Sequence, residues 1–484
     1  MPFSPILPRA FQCKNACAPF LNGEALPLAN IFEPEQVQQR FAEHRVSFGQ
    51  RATALWTPVL TLWTFLRQVL SADRSCRQAV CHTVLAFALT RQPEAFDTSA
   101  YCRARAKLPA ALLQDLTLDV GRRLEAQVPI DLLWHGRHVH LVDGSTSRLP
   151  DTPENQRAYP QPKSQKPGLG LPIIRWVVLL SLATAAVLGF AYGPYQGKQT
   201  GETSLFRQLL QQLRPGEIVV ADRYYCSYFM VALLRTAGVD VVLRLHQLRR
   251  YDFRRGRRLG RYDHVVLWQR PQRPKWMDEQ TYALVPETLE VREIRRRIQE
   301  PGCRVQVLTL ATTLSDADAY PADDIAELYH KRWQVELDIR SLKTTLGMSD
   351  LRCLTPFMVE KELWLHCLAY NLVRKVAAQA ALLAGKSPRS ISFKGSKQAL
   401  LGAWDPLSFM EQPEDYTRVG LGLLQALAKE QVGDRPGRWE PRAIKQRPKP
   451  HKLLKEPRKA AKARLLKSWR NLASRQSRVP VARR

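Results

Sequence analysis

The chain has 484 residues, 73 Lys and Arg against 44 Asp and Glu, and a formal charge of +29. That length can bury a sizeable core in about two or three domains, and the charge points to a polyanionic partner, of which nucleic acid is the commonest. Nine cysteines, an odd number scattered from Cys13 to Cys367, argue against a disulfide scaffold and for a reducing compartment.

Residues 1–33 read as an N-terminal extension without the basic start and apolar run of a signal peptide. Cys13-x3-Cys17 has no matching pair downstream, and neither does Cys76-x4-Cys81-His82, so neither makes a zinc motif. Residues 34–130 show helical periodicity throughout, in FEPEQVQQRFAEHRV, TALWTPVLTLWTFLRQVL, SCRQAVCHTVLAFAL and TSAYCRARAKLPAALLQDL. The last of these follows a short polar turn and carries Arg103, Arg105 and Lys107, a pattern suited to a helix that enters a DNA groove.

From residue 131 the pattern changes. GRHVHLVDGS alternates and then meets Asp143-Gly144, which reads as a strand ending in a turn. WVVLLSLATAAVLGFAYG, residues 176–193, is uncharged. Its β-branched residues and closing Gly193-Pro194 favour a buried hairpin turning near Ala185–Ala186 over a membrane span. GETSLFRQLLQQLRPG reads as a helix, EIVVADRYYCS as a strand, CSYFMVALLRTAG as a helix and VDVVLRLH as a strand, so this region is α/β with helices on the faces of a sheet. Residues 247–308 break that order with an arginine- and aromatic-rich, β-rich insertion. A helix follows from about Pro321, then a second, MVEKELWLHCLAYNLVRKVAAQAALLAG, with a domain boundary placed at about residue 375. A helical region (376–440) and a basic tail (441–484) close the chain. The tail holds sixteen Lys and Arg and one acid, leaving +14 on the body. LLAGKSPRS lacks the first glycine of a phosphate-binding loop, and His246, among arginines, reads as a surface residue.

In LYHKRWQVELDIRSLKTTLGM, residues 328–348, Tyr329, Arg332, Glu336 and Lys343 project within a wedge of roughly 60° on a regular helix. Beside them Leu328, Val335, Ile339, Leu342 and Leu346 form a core stripe. Glu336 joins Asp143 and Asp222, two aspartates at predicted strand ends, where α/β sheets hold ligands. Three convergent carboxylates repel one another unless a divalent cation neutralises them, and oxygen ligands suit Mg2+ or Mn2+.

The order Asp143-Gly144-Ser145, then ADRYYCS with Asp222, then Tyr329-x2-Arg332-x3-Glu336-x6-Lys343 resembles the DDE transposases of bacterial insertion sequences. Within them it is similar to the insertion-sequence-four family with its Tyr-Arg-Glu-Lys signature, over roughly residues 50–460. The shared stretches include GPYQGKQTGETSLFRQL, DFRRGRRLGRYDHVVLW, LRCLTPFMVEKELWLHCLAYNLVR and SISFKG. The resemblance implies an RNase H-like catalytic core at 131–375, preceded by a helical DNA-end-binding domain at 34–130. Asp143, Asp222 and Glu336 would be the catalytic, metal-binding acids, taking two Mg2+ ions or Mn2+ in their place. Tyr329, Arg332 and Lys343 would contact DNA beside the scissile bond. Relatives also stack a tryptophan on a flipped base, for which Trp268, Trp276 and Trp333 qualify by type.

The implied function is cleavage at the inverted repeats that bound the element and strand transfer into target double-stranded DNA. A homodimer in the synaptic complex and a cytoplasmic, nucleoid-associated location without membrane contact go with it. A silent end-binding regulator and an RNase H-like nuclease unrelated to transposition are the alternatives.

Overall fold

The computed structural model describes residues 13–21, 26–51, 54–87, 96–297, 307–410, 412–432 and 455–476. Its strands are β1 (Val139–Arg148), β2 (Ile173–Ser181), β3 (Val187–Pro194), β4 (Ile218–Ala221), β5 (Asp240–Arg244), β6 (Arg257–Gly260), β7 (Asp263–Gln269), β8 (Thr288–Arg297) and β9 (Val307–Thr312). They form one mixed sheet in the order β3-β2-β1-β4-β5-β9-β8-β7-β6. Only β1–β4 and β4–β5 pair in parallel. Those central strands are continuous apolar runs because both faces are covered: Ile218, Val219, Val220, Val241 and Val242 are fully buried.

The uncharged stretch at 176–193 is the β2–β3 hairpin, with Ala185 in its turn at φ 64°. Among the described residues no helix is long and apolar enough to cross a membrane. One expectation about the strands changes. β1 does not end at Asp143-Gly144 but runs on to Arg148, because its antiparallel pairing with β2 continues after β4 has left. The arginine-rich insertion joins the central sheet, since β9 pairs with both β5 and β8.

Helices flank this sheet. On the N-terminal side are α1 (Cys13–Cys17), α2 (Pro34–Glu43), α3 (Pro58–Leu70), α4 (Cys76–Ala86), α5 (Ser99–Lys107) and α6 (Ala110–Ala126). The segment expected as one DNA-reading helix is split into α5 and α6, since Pro109 holds Leu108 extended at ψ 121°. Arg105 is buried there, donates to Gln68 at 3.2 Å and lies over Phe65 at 4.7 Å, so it is a core residue. Arg103 and Lys107 remain exposed. Part of the N-terminal extension is also core: Phe20 packs on Trp63 at 5.5 Å and on Trp404 at 5.4 Å.

Within and after the sheet come α7 (Pro153–Ala158), α8 (Glu202–Arg207), α9 (Tyr228–Thr236), α10 (Glu279–Leu284), α11 (Ala322–His330) and α12 (Gln334–Arg340). Then follow α13 (Pro356–Leu383), α14 (Phe393–Phe409), α15 (Pro413–Leu427) and the exposed basic α16 (Arg458–Gln476). Residues 441–454 and 477–484 of the tail lie outside the described residues. α13 is buried on nearly all sides, and the polar residues it carries inward, among them Glu362, Asn371 and Arg374, are hydrogen-bonded or ion-paired there. It runs without interruption across residue 375, where the sequence suggested a boundary.

The helix expected from Pro321 is not regular. α11 passes through a 3-10 turn (Lys331–Trp333) into α12, which passes into a π-helical turn (Ser341–Thr345). Asp338 of α12 is buried between two guanidinium groups, Arg374 of α13 at 2.8 Å and Arg389 at 2.9 Å. Arg389 also donates to the carbonyls of Ser181 and Leu182, so one carboxylate ties α12 to α13 and to the β2–β3 turn. Asp338→Ala strands two buried cations and is expected to cost about 3–5 kcal/mol, measured as a drop in thermal unfolding midpoint. A loss under about 1 kcal/mol would mean that the clamp is dispensable.

Candidate active site

The last parallel rung between β1 and β4 is Val142 with Ala221. The next residue on each strand is an aspartate, so Asp143 and Asp222 sit side by side where the two strands part. Both carboxylates are tied back to the main chain. Asp143 accepts from the Gly144 amide at 2.8 Å, and Asp222 accepts from the Tyr224 amide at 2.7 Å, capping the 3-10 turn Arg223–Tyr225.

The signature helix lies along β1. Arg332 reaches Asp143 at 3.8 Å with one guanidinium nitrogen and Glu336 at 2.8 Å with the other. Lys343 donates to the Ser145 hydroxyl at 2.9 Å. The structure thus brings Asp143, Asp222, Arg332, Glu336 and Lys343 to the point where the central strands β1 and β4 part. Of the apolar stripe beside them, Leu328, Val335, Leu342 and Leu346 are buried as core, while Ile339 is only partly buried against it. Tyr329 differs from a simple surface contact: it is buried beneath the site, and burial pushes its hydroxyl up to about 12, with Arg332 opposing.

Burial also raises the Asp143 carboxyl to about 6. Its hydrogen bond to Gly144 and the charge of Arg332 oppose that rise, while Asp222 and Glu202 add to it. Burial lowers the Lys343 ammonium, helped by Arg148. Crowded hard-oxygen carboxylates, one of them half-neutralised by an arginine, fit a divalent cation by chemistry. As the side chains stand, no three His, Cys, Asp or Glu residues among the described ones converge on a single ion position. The reason on the Glu336 side is its ion pair with Arg332, which holds it outward and largely exposed.

Glu202, at the start of α8, is an acid of this cluster that the sequence reading did not single out. It is 59 residues from Asp143 in sequence, and it is the close approach of α8 to Gly144 that brings it in. The three tryptophans separate clearly. Trp268 is buried and donates to Glu293 at 3.0 Å. Trp333 is exposed. Trp276 lines a cavity of about 780 Å³ with Tyr224, Phe229, Arg249 and Arg250, under the Arg207 guanidinium at 3.8 Å.

Residues 134–372 match the family model described as the transposase DDE domain. It is 31% identical over 269 residues to the transposase InsG for insertion sequence element IS4 of Escherichia coli K12, covering 54% of this chain and 58% of that protein. It is 27% identical over 143 residues to the putative transposase InsZ of the same organism, covering 29% of this chain and 47% of that one. The chain thus spans little more than half the length of the first curated relative it matches. Among solved structures it is similar to a piggyBac transposase in a synaptic complex with hairpin DNA, at 12% identity and a TM-score of 0.41, covering 86% of this chain and 85% of that one. The DDE domain match agrees with the insertion-sequence resemblance carried by the three acids and the Tyr-Arg-Glu-Lys spacing. All the residues of that pattern fall within the matched segment.

The raised Asp143 pKa has a stability consequence. The folded state binds this proton more tightly than the unfolded chain, so ionisation destabilises the fold as pH rises from about 4 to about 6, and the cost stays constant above that. Asp143→Asn should therefore stabilise the metal-free protein at pH 7.5 by on the order of 1–3 kcal/mol and by much less at pH 4. Melting curves in EDTA at the two pH values measure the difference. An equal shift at both would remove the electrostatic explanation.

Proposed function

We propose that this protein is a cut-and-paste transposase that cleaves DNA at the inverted repeats of an insertion sequence and joins the freed 3′-hydroxyl to target DNA. The observation that carries this reading is the placement of Asp143 and Asp222 on adjacent strands, with Arg332 bridging Asp143 to Glu336. The sheet order β3-β2-β1-β4-β5 with its parallel β1, β4 and β5 supports an RNase H-like core at 131–375. The helical 34–130 region would recognise the ends, and the β-rich insertion at about 247–308 would supply sequence-independent phosphate contacts.

Asp143, Asp222 and Glu336 are the residues that would hold Mg2+ or Mn2+, in a two-ion site. Such ions activate an attacking oxygen and stabilise the leaving oxygen of a phosphodiester. The chain's own groups do the rest. Arg332 offers a planar, two-pronged donor to a phosphate, and when it turns to DNA it releases Glu336 and Asp143 from their ion pairs. Lys343, held beside Ser145, supplies a second cation about three turns further along. Tyr329, packed below, supports Arg332 from the protein side. The cavity under Arg207 gives Trp276 the surroundings for stacking an unpaired base, which neither Trp268 nor Trp333 has. α16 and the rest of the basic tail would add sequence-independent phosphate contacts, and a homodimer would bring two ends together.

The deciding experiment uses a duplex carrying the inverted repeat that flanks the gene, with Mg2+ or EDTA. Nicking at the repeat boundary is expected from the wild type, to be lost in EDTA and to fall at least 10³-fold, on the order of a lost catalytic group, in Glu336→Ala, with end binding retained. Binding with no cleavage by the wild type in Mg2+ or Mn2+ would favour a silent end-binding regulator. Cleavage indifferent to the repeat would favour an unrelated nuclease. Removing residues 441–484 should flatten the dependence of log Kd on log salt. An unchanged slope would take the tail out of the DNA interface.

A further inference from the structure

Glu202 belongs to neither the three predicted acids nor the signature helix, yet it lies against the same point of the sheet. A methyl group placed on Gly144 would meet the Glu202 carboxyl carbon at 2.5 Å and a carboxyl oxygen at 2.8 Å. The carboxyl group therefore lies over the residue that follows Asp143, and the missing side chain at Gly144 makes room for it. It is the electrostatic neighbour of both Asp143 and Asp222. Arg175, the cation that acts on it, is already committed to the Thr200 carbonyl at 3.0 Å and to the face of Tyr195 at 4.5 Å.

A second observation points into the same space. Tyr225 is 1% exposed, and its hydroxyl lies against the Glu202 carboxylate, which it stabilises, but outside regular hydrogen-bond geometry. The charged groups around that hydroxyl are Glu202, Asp143 and Asp222. Its ring packs edge-on against Phe206 of α8 at 5.5 Å, which fixes Tyr225 and Glu202 relative to each other. A buried hydroxyl without a well-formed hydrogen bond bears part of the roughly 1–3 kcal/mol that an unsatisfied group costs. A polar ligand in that space would recover it.

We infer that Glu202 is a positioning residue for a divalent cation held by Asp143 and Asp222, accepting hydrogen bonds from the cation's water while the Tyr225 hydroxyl fixes its orientation. The inference rests on the metal-dependent reading above and deepens it. It fits the geometry because Mg2+ is typically bound through one or two carboxylates and keeps several waters, which outer groups then orient. It also accounts for an acidic cluster whose members do not converge on one ion position. In this arrangement the cation site on the Asp143–Asp222 side is complete without Glu336, whose helix adds the remaining carboxylate when Arg332 turns away.

The test is Mn2+ binding to the full-length protein without DNA, by calorimetry and by the Mn2+ paramagnetic resonance signal, alongside melting curves in EDTA. Glu202→Gln is expected to weaken Mn2+ about tenfold or more while leaving the metal-free melting temperature unchanged or higher, and Glu202→Asp should recover part of the affinity. Tyr225→Phe carries the test if Glu202→Gln does not fold. It should raise metal-free stability, since it removes the poorly satisfied hydroxyl, yet weaken Mn2+ several-fold. Wild-type Mn2+ affinity in Glu202→Gln, with binding abolished in Asp143→Asn, would overturn the role of Glu202 and leave the cation site standing. Unchanged affinity in Asp143→Asn would overturn the cation site itself, and this inference with it.

Discussion

The buried carboxylate of Asp338 fixes where the signature helix lies. Held between Arg374 and Arg389, it sets the rotation and height of α12 against α13 and against the β2–β3 turn. Glu336 lies two residues earlier and Arg332 six residues earlier, so their reach toward β1 follows from this anchor. The 3-10 turn before α12 and the π turn after it adjust the phase of the chain on either side. Irregular turns of this kind recur at functional sites because they re-aim side chains that a uniform helix would place elsewhere. Lys343, within the π turn, meets Ser145 on the same strand that carries Asp143.

The second constraint is the point where β1 and β4 separate. Parallel pairing brings two aspartates to adjacent positions and leaves them without further ladder partners on that side. The resulting charge is costly, as the raised Asp143 carboxyl indicates. Arg332 offsets part of it by bridging Asp143 to Glu336. A fold that accepts such a cost at one point must recover it elsewhere, and here the burial of α13 and the central apolar strands supply that stability.

The net charge also reads differently once the chain is folded. Arg292 is buried and paired with Asp263 at 2.6 Å, and Arg105, Arg374 and Arg389 serve the core in similar ways. In the insertion, Arg295 stacks among Tyr251, Phe253 and Tyr262. Arg254, Arg255, Arg257, Arg258 and Arg261 stay exposed on β6 and its approach. The surface available to a polyanion is therefore narrower than the composition alone implies.

The sequence by itself determined the local features: the apolar hairpin with its turn near Ala185, the α/β alternation after residue 131, and the core stripe of the signature helix. Periodicity and turn chemistry act over a few residues, so they survive without tertiary context. The residue types of the acidic and basic pattern were legible for the same reason. Only the tertiary structure decided that Asp143 sits within a strand, since that depends on β2 pairing beyond the point where β4 ends. It likewise decided that Arg105 faces the core, that Trp276 lines a cavity, and that Glu202 approaches Gly144. Each of these is set by contacts between segments tens to hundreds of residues apart, and no local pattern along the chain encodes their register.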